Sequence, residues 1–171
     1  LVKQIDNLRK GIYLHDTLEN NTGMDFCIGV AGYPEKHIEA PSKTFDLEKL
    51  KEKVDNGADY VVTQMFFDNK QYFDFVEKAR QMGINVPIIP GIKPISVKRH
   101  LNIIPQAFFL DFPEELVKEI EKCKNNNEVK QVGIEWAIAQ SKELRQAGVP
   151  SLHYYSMGKS ENIIQIISKV F

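Results

Sequence analysis

Three short, solidly apolar runs are each followed by a stretch whose apolar residues recur at helical spacing. This alternation narrows the choice of fold more than any other feature of the chain. The runs are Phe26 to Ala31, Tyr60 to Phe67 and Val86 to Pro90, and a fourth, more polar one spans Ser151 to Met157. A strand with one wetted face alternates polar and apolar residues. The first run does not, so it is expected to be buried on both sides. Asp46 to Asn56 reads as a helix with Leu47, Leu50 and Val54 on one stripe, stopped by Asn56-Gly57. Asp68 can cap the next helix, whose Phe73, Val76 and Met82 face inward before Gly83 ends it. Further helices are expected over Ser96 to Ile104 and from Pro113 to Cys123. A long one follows the Asn125-Asn126-Asn127 turn to Ala147, with Val132, Trp136 and Ala139 on one face. The last spans Ser160 to Val170, with Ile163, Ile164, Ile166 and Ile167 apolar. The opening stretch, Leu1 to Asp16, is helix-like and charged, with Val2, Ile5 and Leu8 at helical spacing. Strands alternating with helices at these lengths imply parallel pairing and an α/β fold.

Four such units can make a small open sheet or one half of an eight-unit barrel, which typically needs about 250 residues. The pattern alone leaves both open. Val30-Ala31-Gly32-Tyr33-Pro34 offers one glycine where GxGxxG needs three, so the dinucleotide fingerprint is absent. A chain of 171 residues can bury roughly 70% of its unfolded surface. No shift in composition marks a boundary, so residues 1–171 are expected to form a single domain. Lys+Arg 22 against Asp+Glu 23 leaves no basic excess for nucleic acid. No apolar run approaches the ~20 residues of a membrane span, and the charged start is not a signal peptide. Cys27 and Cys123 are far apart with no CxxC, which argues against a disulfide scaffold or zinc ribbon and fits a reducing, cytoplasmic setting.

In α/β folds the reactive residues lie at the carboxyl ends of strands. That gives Tyr33, Glu35, His37 and Glu39 after the first strand, Thr63, Gln64 and Asp68 after the second, Lys93 and Ser96 after the third, and His153, Tyr154, Tyr155 and Lys159 at the fourth. His37 can donate or accept a hydrogen bond near neutral pH, or be an incidental part of a polar loop. A metal would need it with Glu35 or Glu39, and with no further convergent ligand no metal site is expected. Asp46 and Lys53, two helical turns apart, share a face: a ligand's hydroxyls and phosphate could meet them, or each could simply match the helix dipole. Gln64 interrupts an apolar run. Its amide can serve a flat heterocycle or make a structural hydrogen bond to a neighbouring loop. Phe66-Phe67, Phe108-Phe109 and Trp136 read as core, and Glu119 to Lys124 as a solvated helix face.

Read in order, Ala31-Gly32-Tyr33-Pro34-Glu35-Lys36-His37-Ile38-Glu39-Ala40, Asp46…Lys53-Val54-Asp55-Asn56-Gly57-Ala58-Asp59, Thr63-Gln64-Met65-Phe66-Phe67-Asp68, Ile89-Pro90-Gly91-Ile92-Lys93-Pro94 and Leu152-His153-Tyr154-Tyr155-Ser156-Met157 closely resemble methylenetetrahydrofolate reductases of bacterial type. The match runs along essentially the whole chain. The resemblance implies the C-terminal half of a TIM-type (β/α)8 barrel, about four parallel strands alternating with helices. It implies FAD as cofactor, NAD(P)H as hydride donor, and reduction of 5,10-methylenetetrahydrofolate to 5-methyltetrahydrofolate. By similarity, Tyr33, His37, Glu39 and Ala40 lie against FAD, and Asp46 and Lys53 contact its ribityl, phosphate or adenosine portion. Gln64 would meet the pterin and, in the other half-reaction, the nicotinamide, while Tyr155 and Lys159 would lie at the folate.

Three departures qualify this. The family's acidic proton donor and Arg-Gly-Asp segment belong to a barrel half that these residues do not match, so no catalytic acid is assigned. Lys159 stands where the family often has Arg, keeping the charge but losing the bidentate fork. Glu52 stands where some members have a basic flavin contact. A half-barrel leaves sheet edges and apolar surface unpaired, so a homo-oligomer or a weakly stable chain is expected. The competing readings are a non-catalytic half-barrel acting as a ligand-binding or assembly module, and another barrel oxidoreductase with a similar site.

Overall fold

A computed structural model of the chain describes residues 1–15 and 17–171. Its elements are α1 (Val2–Arg9), β1 (Gly29–Gly32), α2 (Lys43–Asp55), β2 (Tyr60–Met65), α3 (Asn69–Gln81), β3 (Ile88–Ile92), α4 (His100–Phe108), α5 (Glu114–Lys122), α6 (Asn126–Gln146), β4 (His153–Tyr154) and α7 (Glu161–Val170). The strands form one parallel sheet in the order β1-β2-β3-β4. A doubly wound sheet reverses its strand order at the ligand crevice. This sheet never reverses, so of the two arrangements the sequence left open it adopts half of a (β/α)8 barrel.

Helices pack on one face of the sheet. Val61, Thr63 and Met65 of β2 are buried there, while Tyr60, Val62 and Gln64 on the other face are only half-buried. Leu50, Val61, Phe75, Ile88, Ile134, Leu144 and Ile166 fill one part of the core. Met65, Phe67, Ile95, Leu116, Ile120 and Val129 fill a second part, beneath α5 and α6.

The first strand is not buried on both sides. Ile28 and Gly32 are buried, but Cys27, Gly29 and Ala31 are exposed. Among the described residues β1 pairs only with β2, and the helix layer covers a single face, so a run apolar on both faces wets one of them. The half-buried Tyr60 ring lies across Gly29, where a Cβ would stand 2.4 Å from it and push it aside.

Local chemistry moves several boundaries. Ser42 Oγ accepts from Phe45 N at 3.1 Å, so α2 starts at Lys43 rather than Asp46. Asp68 caps α3 through Lys70 N at 2.9 Å, as expected. The segment before α4 is held as loop by Lys98 N donating to Asn126 Oδ1 at 3.2 Å, and the helix starts at His100, not Ser96. In α6 the buried stripe is Val129, Gly133, Ile134, Ala137, Gln140, Ser141 and Leu144, which leaves Ala139 exposed. Trp136 is half-buried, with its indole N–H donating to Phe67 O at 2.9 Å. In α7 Ile166 and Val170 are buried while Ile164 and Ile167 are exposed. Phe66 and Phe67 are core, but Phe108 and Phe109 are exposed, because they close α4 with Phe109 in the left-handed region at φ 51°. Of the expected opening helix, Val2–Arg9 forms; Asp16 lies outside the described residues.

One irregularity shapes the sheet. Val61 pairs with Ile88 and Val62 with Ile89, but Met65 pairs with Gly91, so the β2–β3 register slips between Val62 and Met65. Pro90 stands at the slip, and proline has no N–H to give a ladder. Across the slip, side chains take up two backbone amides: Thr63 Oγ1 accepts from Gly91 N at 2.9 Å, and Gln64 Oε1 accepts from Met65 N at 2.9 Å.

Candidate functional site at the carboxyl rim

Because the strands are parallel, the segments leaving them converge on one rim. After β1, the Tyr33 and His37 rings meet edge to face with centroids 4.7 Å apart. The His37 backbone N–H donates to Asp46 Oδ2 at 2.9 Å, and Glu39 N donates to His37 Nδ1 at 3.2 Å. Asp46 thus holds the loop from the first turn of α2. Burial and the Asp46 charge together push the Tyr33 hydroxyl above its ordinary pKa. Ala40 is buried, and its carbonyl accepts from Lys36 Nζ at 2.7 Å. Lys53, in the last turn of α2, reaches back to Ala31 O at 3.4 Å on the exposed side of β1. Tyr33, His37, Glu39, Ala40 and Asp46 are thus joined through one loop, with the Glu39 side chain 87% exposed, while Lys53 stands apart at Ala31.

Gln64 and Tyr155 sit at the neighbouring strand ends. Tyr155 N donates to Ile92 O at 2.9 Å, extending β4's pairing, and its hydroxyl donates to Thr63 O, also at 2.9 Å. The ring crosses Gly91, where a Cβ would lie 2.7 Å from it and 2.3 Å from Thr63 O. Its hydroxyl pKa is raised by burial first and then by Tyr33. Gln64 is half-buried on the uncovered face of β2. Its carbonyl oxygen serves Met65 N, a bond within its own strand rather than to a loop.

Beyond Tyr155 opens a cleft of about 350 Å³ lined by Lys93, Arg99, His100, Lys130, Tyr155 and Lys159, among others. Lys93 is pushed below its ordinary pKa by burial, and His100 by burial, then Lys93 and Arg99. The sequence pointed to Lys93 and Lys159 but not to Arg99 or Lys130. His100 Nδ1 accepts from Ser96 N at 3.4 Å. Only the fold brings the starts of α4, α6 and α7 to one cleft. Among the described residues no group of three or more His, Cys, Asp or Glu could hold a metal ion.

The family model described as methylenetetrahydrofolate reductase matches residues 3–170. The chain belongs to that family. Curated reductase relatives include a probable methylenetetrahydrofolate reductase (NADPH) of Caenorhabditis elegans, 37% identical over 86% of this chain and 23% of its own length. A methylenetetrahydrofolate reductase (NADH) of Arabidopsis thaliana is 41% identical over 88% of this chain and 27% of its own. The 5,10-methylenetetrahydrofolate reductase of Pectobacterium carotovorum is 37% identical over 80% of this chain and 46% of its own. The chain therefore spans about a quarter of the length of the eukaryotic reductases it matches and under half of the bacterial one. Among solved structures, an uncharacterized protein from Clostridium thermocellum that binds two copies of 5-methyl-5,6,7,8-tetrahydrofolic acid shares the fold, with TM-score 0.55 and 19% identity over 85% of this chain and 53% of that one.

Proposed function

We propose that this chain supplies flavin and folate contacts of a reductase that converts 5,10-methylenetetrahydrofolate to 5-methyltetrahydrofolate, with NAD(P)H as reductant and FAD as cofactor. The observation that carries the reading is the parallel sheet, whose carboxyl ends put the Tyr33–His37 pair, Gln64 and Tyr155 on one rim. The donor set fits a flavin nucleotide. Tyr33 and His37 give an aromatic wall, Lys53 an ammonium beside the exposed, small-residue surface of Gly29 and Ala31, and Asp46 and Ala40 a fixed loop. Bound FAD would supply two-electron hydride chemistry; the protein's task is to orient flat rings in turn over one face. Gln64, with its oxygen engaged, keeps two amide N–H donors for a pterin or nicotinamide edge. Tyr155 bounds the folate space, and Lys159 offers an exposed cation at its outer end.

In this reading residues 1–171 act as one partial-barrel domain in the cytoplasm, and a second copy covers the surface that the half-barrel leaves open. No helix among the described residues is long and apolar enough to cross a membrane. An assembly or ligand-binding module is the second reading, favoured by the apolar groove of Leu1, Ile5, Leu8, Ile12, Leu14 and Leu18 beside α1. Colour and kinetics separate the two. A flavin spectrum in the purified protein, with folate turnover lowered about tenfold or more in Gln64→Ala, is expected. A colourless protein, or unchanged folate kinetics in that variant, refutes the assignment.

A further inference from the structure

The segment carrying Tyr33 and His37, residues 33–42, is tied to a distant one, the α4–α5 connection at residues 109–113. Glu35 Oε2 accepts from the backbone N–H of Asp111 at 2.8 Å. Next to it, Lys36 Nζ stands 4.5 Å from the centre of the Phe109 ring. Lys36 and Phe109 both hold positive φ, 150° and 51°, a conformation that costs a non-glycine residue energy and persists only where the surroundings impose it. Two strained residues therefore face each other across the gap that Glu35 closes.

We propose that Glu35 is a positioning residue: it latches residues 33–42 onto the α4–α5 connection and thereby fixes Tyr33 and His37 for the flavin, an inference that rests on the flavin reading above. The latch is built to respond to protons. Glu35 Oε1 is buried with no partner among the described residues. Burial pushes the carboxyl up to about 7. The Asp111 N–H works against that shift, the Asp111 charge adds to it, Lys43 from α2 offsets it and Asp68 from the β2–α3 link adds again. Released into water, the group returns to its ordinary value of 4.5. Between about pH 4.5 and 7 the closed latch thus holds a proton that the open one has given up. Closure is therefore strongest below about pH 4.5, weakens by up to about tenfold per pH unit as the pH rises to about 7, and levels off above that.

The experiment is hydrogen exchange of the ligand-free protein at pH 6 and pH 8, corrected for intrinsic rates, followed by FAD titration of the same samples. In the unmodified protein, protection of residues 33–42 and 109–113 is expected to fall together at pH 8, and FAD affinity to drop up to about tenfold. Glu35→Gln keeps an acceptor for Asp111 N without a titrating proton, so its protection and affinity should be flat between the two pH values. Glu35→Ala should lose protection in both segments at both. The same pH dependence in Glu35→Gln, or independent exchange of the two segments in the unmodified protein, overturns the latch. Exchange as expected with no FAD binding at either pH overturns the flavin reading instead, and with it the positioning role.

Discussion

Replacing Gly133 with alanine sets two effects of opposite sign against each other. In the middle of a 21-residue helix, Gly to Ala ordinarily stabilises by about 0.5–1 kcal/mol, because glycine loses more backbone entropy on folding. At Gly133, however, α6 rests directly on the segment leaving β3. An added Cβ would stand 1.9 Å from Ile95 O, 2.7 Å from Ile95 C and 2.8 Å from Ile95 N. All three are backbone atoms, so no rotamer change relieves the overlap; helix or segment must move by more than 1 Å. Overpacking of this kind costs about 1–3 kcal/mol or more, and the clash wins. A net loss of about 2 kcal/mol lowers Tm by roughly 4–8 °C in a chain of this size. Calorimetry or urea titration of Gly133→Ala measures it. An unchanged or raised Tm would show that the α6–Ile95 approach is looser than described and refute the reasoning.

Thr63→Val keeps the shape of a fully buried side chain but leaves Gly91 N without its acceptor, so a loss of about 1–3 kcal/mol is expected in urea unfolding; a loss under about 0.5 kcal/mol would mean that the slipped register is satisfied in another way. The open edge of β1 and the apolar groove beside α1 are expected to bring two copies together. Sedimentation over a range of concentrations checks this, and a stable monomer throughout counts against it.

The parallel α/β architecture was legible because solid strands and helical stripes alternate, and the caps at Asp68 and Gly148 stand where their residue types demand. The sidedness of the sheet was not. The apolar run ending in Ala31 suits a strand covered on both faces, and only the folded structure shows one face open. Helix phase was partly hidden too: α6 turns Gly133 and Ser141 inward, residues with no hydrophobic signature, because close backbone approach rather than side-chain burial sets that contact. At the rim, the positions of Tyr33 and His37 after the first strand and of Gln64 at a strand end followed from local sequence, whereas the ring contact of Tyr33 with His37 did not. The Glu35–Asp111 bond spans 76 positions, and no spacing rule reaches it.

Pro90 brings an absence to the middle of the sheet. Beside it, the Gly91 amide goes to the Thr63 hydroxyl, which leaves the carbonyl of Thr63 for a hydroxyl that arrives from the far end of the chain. Tyr155 is therefore located by the main chain of two inner strands, not by the connections around it. A change in the length or composition of those connections would leave both of the tyrosine's anchors in place.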